Sequence, residues 1–135
     1  MSAPDFRARM VLEASISPSE DPAKVKKALE NVVGVDSAEE RRGASAALLT
    51  TEDSQAFVRV RDQLRDRHVR SAARRQMLLK STSRSTTLML NRQAAAVGVL
   101  VLCGSDGESP LGPIYLKIEA QKLQEVIDWL TAYAG

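Results

Sequence analysis

Arg84 to Ile118 reads RSTTLMLNRQAAAVGVLVLCGSDGESPLGPIYLKI, and the punctuation of this stretch decides the fold class. Three apolar runs, Thr86 to Leu90, Ala94 to Cys103 and Ile114 to Ile118, are joined by two connections. The first, Asn91-Arg92, has the length of a tight β-hairpin turn, and Asn tolerates the positive φ such turns demand. The second holds Gly104, Asp106, Gly107, Pro110, Gly112 and Pro113, which excludes helix and sheet interior alike. From Ala94 to Leu102 both side-chain parities are apolar: Val97, Val99 and Val101 on one, Ala96, Leu100 and Leu102 on the other. A strand apolar on both faces is covered on both faces. The run Ala94 to Leu102 is therefore expected to be the core of the sheet.

Outward from this stretch, the chain alternates strands and helices. Phe6, Ala8, Met10, Leu12, Ala14 and Ile16 interleave with Arg7, Arg9, Val11, Glu13 and Ser15, the period-two pattern of a strand with one buried face. Pro18 ends it. Asp21 is placed to cap a helix with Pro22 at its first position. Val25, Ala28, Leu29, Val32 and Val33 form its apolar stripe, and Gly34 stops it. Val35 to Arg42 reads as an edge strand and Ala46 to Thr51 as another. Thr51 or Asp53 then caps a helix buried through Phe57, Val58 or Val60, and Leu64. The phase shifts at Arg67-His68, where two helices or one kinked helix fit equally well. A second stripe follows through Val69, Ala72 or Ala73, Met77, and Leu78 or Leu79. After the three apolar runs, Ala120 to Ala132 closes the chain as a helix, with Trp129 expected to pack partly on the sheet. The order is β-α-β-β-α-α-β-β-β-α. This describes one α+β domain over residues 1–135, with a curved, largely antiparallel sheet of about five to six strands and helices packed on one face.

The motifs also carry a resemblance. Leu90-Asn91-Arg92-Gln93-Ala94-Ala95, then Glu108 to Ile114, resemble the signature region of a small archaeal family, uncharacterised protein family 0201. Ile16, Pro18, Glu20-Asp21, Lys24 to Ala28 and the closing Asp128-Trp129-Leu130 fit the same family, so the likeness spans nearly the whole chain. The resemblance implies a predicted RNA-binding protein, with a fold similar to the large-subunit ribosomal protein that binds 5S ribosomal RNA. It implies no catalytic activity.

Composition narrows the function classes. At 44% apolar and 27% charged residues, the chain has the balance of an ordinary globular domain. Its start is interrupted by charges, unlike a signal peptide, and its longest uncharged run, Gln93 to Ser105, falls short of the ~20 residues a membrane helix needs. With Cys103 alone, no intrachain disulfide is possible, so a cytoplasmic setting without membrane association is expected. His68 and Cys103, the sole histidine and the sole cysteine, do not supply a zinc site unaided and lack a third orienting group for nucleophilic catalysis. The bland reading takes His68 as a surface residue and Cys103 as a small buried hydrophobe. Gly104 to Ser109 lacks the Gly-Lys-Ser/Thr ending of a phosphate-binding loop. Neither a cofactor, a metal nor an enzymatic activity is expected.

Charge distribution points elsewhere. Between Arg59 and Arg92 lie nine arginines and one lysine, opposed only by Asp62 and Asp66, a local balance of +8 against −6 for the rest. Arginine forks suit phosphate, and a chain this polarised suits a polyanionic partner. The bland alternative is a solvated helix face whose arginine stems cover apolar surface. Arg70, Arg74, and Arg67 or Arg75 are expected to share a helical face, with Lys80, Arg84 and Arg92 near its end or on the hairpin. Asn91 either reads a base edge or makes the turn. With five aromatics, mostly at core-like positions, base stacking on an open sheet is not expected. The leading expectation is a non-enzymatic protein that binds structured RNA through Arg67, Arg70, Arg74, Arg75, Lys80, Arg84, Asn91 and Arg92. The alternative is a homodimeric structural or assembly module without nucleic acid, in which a second copy covers the doubly apolar strand.

Overall fold

The computed structural model describes residues 6–35, 39–41 (backbone only), 45–104 and 111–132. Period-two alternation sets its strands. In β1 (Ala8–Ser15) Met10, Leu12 and Ala14 are buried and Arg9 is exposed; in β5 (Ile114–Ala120) Ile114, Leu116 and Ile118 are buried while Tyr115 and Lys117 face solvent. With β2 (Glu39–Arg41), β3 (Ala46–Thr51) and β4 (Ser85–Leu90) they form an antiparallel sheet ordered β2-β3-β1-β5-β4. The register aligns Leu49, Leu12, Leu116 and Leu88 across four strands, a single apolar row through the centre of the buried face. One residue along each strand, Thr50, Val11, Lys117 and Thr87 align on the opposite face. There Arg9 pairs with Glu52 and Glu119, and Lys117 with Glu119, at 3.6–3.9 Å. One face is thus core and the other solvated, the usual state of an antiparallel sheet.

The helical layer covers the core face. Helix α1 (Pro22–Val33) starts as its sequence requires: Asp21 Oδ1 accepts from Ala23 N–H at 3.0 Å, with Pro22 in the first turn. It ends where Gly34 takes φ 72°, a left-handed conformation that glycine adopts without a Cβ penalty. Asp53, not Thr51, caps α2 (Ser54–Asp66), and the apparent phase shift resolves into two helices, with His68 at φ 56° between α2 and α3 (Arg70–Leu79). Thr86, buried on the core face of β4, donates to Met77 O at 2.6 Å and so anchors α3 to the sheet. Helix α5 (Leu123–Thr131) buries Leu123, Val126, Ile127 and Leu130.

The organising stretch departs from expectation in one respect with several consequences. Asn91-Arg92 is not a hairpin turn. Asn91 sits at φ −71°, ψ 121° and its Oδ1 accepts from Ala94 N–H at 2.9 Å, the geometry of an N-cap. The alanines that follow, strong helix formers, make a one-turn helix α4 (Arg92–Ala96), which Gly98 ends at φ 81°. Ala94 to Leu102 is accordingly no core strand: Val97 is 77% exposed, and only the isolated bridge Leu90–Leu102 has ladder pairing. Four strands of six to eight residues and one of three make the sheet, one strand fewer than the expected order of elements contains. β4 pairs directly with β5, Leu90 opposite Ile114, and the central position belongs to β1. With the doubly apolar strand goes the argument that a second copy must cover it. Ala120 closes β5, so the last helix starts at Leu123. Trp129 packs edge-on against Phe6, ring centroids 5.5 Å apart, and is partly buried against the core, while Leu78 and Leu79 both face solvent. The glycine- and proline-rich connection from 105 to 110 lies outside the described residues.

Leu116→Ala empties the centre of the leucine row, so its expected cost in urea unfolding is about 2–5 kcal/mol. Lys117→Ala, one residue along on the solvated face, is expected to stay within about 0.5 kcal/mol. Equal losses would refute the face assignment.

Candidate nucleic-acid interface

Most of the arginine-rich segment is engaged within the molecule. A helix leaves its last carbonyls without intrahelical partners, and two helices are closed by side chains from a helix packed beside them. Arg59 Nε donates to Asn31 O and Gln63 Nε2 to Val32 O, both at 3.0 Å, at the end of α1. Arg70 Nη1 donates to Ala132 O at 3.0 Å just past α5. One turn along α3, Arg74 Nη1 donates to Asp128 Oδ1 at 2.7 Å and Thr131 Oγ1 at 3.2 Å. Arg61 lies over the Trp129 ring, 4.6 Å from its centroid, a cation–π contact. Arg65 is within 3.5 Å of both Asp62 and Asp66. Arg70 and Arg74 do share a helical face, but that face packs on α5.

Four basic residues of the segment remain on the surface: Arg67, Arg75, Lys80 and Arg84 are exposed. None has a carboxylate partner among the described residues. Arg67 belongs to the turn that ends α2, at φ −89°, ψ 0°, and so is not in line with the α3 pair. Lys80 follows α3, and its Nζ approaches Met89 Sδ at 3.9 Å. Arg84 precedes β4, its carbonyl accepting from Ala120 N–H at 2.9 Å.

Arg92 lies elsewhere entirely. Its side chain is 6% exposed, its Nη1 donates to both carboxylate oxygens of Glu20 at 2.8 and 3.0 Å, and its Nε donates to Gly112 O at 2.9 Å. Nη2 reaches Ser15 Oγ at 3.4 Å, and Glu20 Oε1 also accepts from Ser17 N–H at 2.9 Å. Asn91, as the cap of α4, is equally occupied. Neither is presented on a hairpin as expected. Beside the ion pair a cleft of about 360 Å³ opens between α1, α4 and Leu111. Three of the four stretches that carry the family likeness, before α1, around Asn91 and before Ile114, meet at this pair. The partner, Glu20, gave no local signal, because 72 residues separate it from Arg92. Gln76 was likewise illegible: its Oε1 accepts from Met89 N–H at 2.7 Å and its Nε2 donates to Cys103 O at 2.9 Å, fastening the 101–103 segment to the edge of β4.

His68 is exposed and Cys103 buried, and no three His, Cys, Asp or Glu side chains among the described residues are grouped as a metal site requires. No helix among those residues is long and apolar enough to cross a membrane.

The architecture defines a class, an α+β domain with one antiparallel sheet, a helical layer on one face and a solvated opposite face. No family model matches the sequence. Individual relatives do. The chain is 34% identical to the UPF0201 protein of Sulfurisphaera tokodaii over 125 residues, covering 91% of this chain and 86% of the relative. It is 38% identical to that of Aeropyrum pernix over 128 residues, covering 92% and 85%. The chain belongs to the UPF0201 family. Solved folds agree: a UPF0201 protein from Methanococcus jannaschii superposes with TM-score 0.75 at 24% identity over 94% of this chain and 95% of that one. A DUF54 protein from Methanothermobacter thermautotrophicus gives 0.66 at 18% identity, over 93% and 96%.

Two predictions follow the ion pairs. Arg92→Met leaves the Glu20 carboxylate largely buried without its counter-ion and is expected to cost about 3–5 kcal/mol in urea unfolding. Adding Glu20→Leu is expected to recover part of that loss; strictly additive losses would show that the two side chains are uncoupled. The hydrogen bond from Arg74, then that from Gln124, holds the Asp128 carboxyl below its ordinary value of 3.8. A depressed folded-state value means stability present above the ordinary carboxylate range and lost as pH falls through the folded value. The Tm gap between wild type and Asp128→Asn is therefore expected near neutral pH and to close below about pH 4. A gap independent of pH would contradict this.

Proposed function

We propose that this protein is a non-enzymatic, cytoplasmic RNA-binding protein that recognises structured RNA chiefly through its phosphate backbone. The observation that carries this reading is the set Arg67, Arg75, Lys80 and Arg84, exposed and without carboxylate partners among the described residues. Of the eight residues expected to bind nucleic acid, Arg70, Arg74, Asn91 and Arg92 have internal partners, so Arg67, Arg75, Lys80 and Arg84 are the contacts assigned here. Unpaired cations on a surface gain free energy from a polyanion by releasing its condensed counter-ions, without the desolvation that buried pairs demand. The resemblance to a family of predicted RNA-binding proteins supports the same reading from the side of sequence.

In salt titrations of a structured RNA, affinity is expected to fall steeply between about 50 and 200 mM salt. The R67A/R75A/K80A/R84A variant is expected to flatten the log–log slope by about 3, one contact contributing ~0.7–0.9. Salt-independent affinity, or a variant that binds like wild type, overturns the reading.

A second reading is a homodimeric assembly module. Its support is the exposed apolar surface of Leu79, 81% accessible, and Val97, 77% accessible. Sedimentation showing a monomer at high concentration disposes of it.

A further inference from the structure

The end of α3 and the segment at residues 102–104 enclose a depression of about 400 Å³. Ala72, Leu79, Leu102 and Cys103 supply its apolar lining, and Arg75 and Lys80 stand in its wall. Among the described residues no acidic side chain lines it. A single exposed leucine needs no explanation. Here, though, a leucine at 81% exposure adjoins two cations that have no carboxylate partner among the described residues. The depression is also held open from within. Gln76 binds the backbone of Met89 on one side and of Cys103 on the other, so its two walls are fixed to each other.

An occupant suited to this place combines a flat apolar face with negative charge on both sides of it. We propose that the depression takes one unpaired nucleotide, whose base lies on Leu79 and Leu102 while Arg75 and Lys80 hold the phosphates flanking it. This rests on the RNA-binding reading and names its substrate: a hairpin or duplex interrupted by a bulge or loop. Bases inside an uninterrupted A-form helix are stacked and paired, so they do not reach such a depression, whereas bases in loops and bulges splay out and reach protein side chains. Arg67 and Arg84 lie before and after it in sequence, and Arg84 lines a separate depression that it shares with Glu52, Glu119 and Glu125. The RNA-binding reading on which the site rests favours a nucleotide over an acidic protein segment as its occupant.

The test compares two hairpins that differ by one bulged 2-aminopurine, titrated at about 100 mM salt and read by anisotropy and by 2-aminopurine fluorescence. Wild type is expected to bind the bulged hairpin about tenfold more tightly, the low end of the range for a base stacked on an aromatic ring, since leucine offers apolar contact alone, with a change in fluorescence. Leu79→Ala, a substitution at an exposed position, is expected to abolish the preference and leave the salt slope unchanged. R75A/K80A is expected to weaken both hairpins. Equal wild-type affinity for the two overturns the unpaired-nucleotide site while leaving backbone binding intact. Salt-independent or absent binding of both overturns the two readings together. Displacement of the bulged RNA from Leu79 by a glutamate-rich amphipathic peptide that binds more tightly gives the depression to a protein partner and overturns the proposal.

Discussion

The buried pair of Arg92 and Glu20 is the constraint on which the rest of the molecule depends. A guanidinium at 6% exposure has lost nearly all its water, and desolvation of that order is offset only where several good acceptors surround the group. Glu20, Gly112 O and Ser15 Oγ are those acceptors, and they come from the turn before α1 and from the approach to β5. Arg92 itself opens α4. Three pieces of chain remote in sequence are thus fixed relative to one another by one side chain. The pair sets position more than net stability, since an apolar replacement of both partners can be nearly neutral.

The same logic runs through the arginines of α2 and α3. Helix ends present carbonyl groups that need donors, and a planar fork on a long stem reaches from one helix to the end of another. Arg59 serves α1 in this way and Arg70 serves the end of α5, while Arg74 joins α3 to Asp128. A charge of +8 over one segment therefore divides into two populations. One is structural, paired with carbonyls, carboxylates or the Trp129 ring; the other stays solvated at Arg67, Arg75, Lys80 and Arg84. Arg59, Arg61 and Arg70, bonded to neutral groups, keep their charge but turn it inward, whereas the second population presents both charge and donors to a polyanion.

Separation of roles between the two sides of the sheet reinforces this division. Arg9, Lys117, Glu52 and Glu119 compensate one another on the solvated face. Arg84 shares a depression with Arg9, Glu52 and Glu119, whereas the charge of Arg75 and Lys80 belongs to the helical side, around α3. There it adjoins the exposed Leu79, at an edge of the sheet where the chain from 101 to 103 is fastened by Gln76 rather than by a full ladder.

Sequence alone determined the elements whose signals are local. Alternation fixed β1 and β5, the Asp21-Pro22 cap and Gly34 bounded α1, and clustered motifs gave the family. These are set by neighbours a few residues apart, so they survive without tertiary knowledge. Asn91 to Leu102 was misread because an alanine-valine run has no polar residue to disclose its period, and Asn caps a helix as readily as it makes a turn. The destinations of Arg70, Arg74 and Arg92 were decided only by the tertiary structure. Each depends on a partner 54 to 72 residues distant, and a charged side chain carries no local mark of whether it will meet a carboxylate, a carbonyl or water.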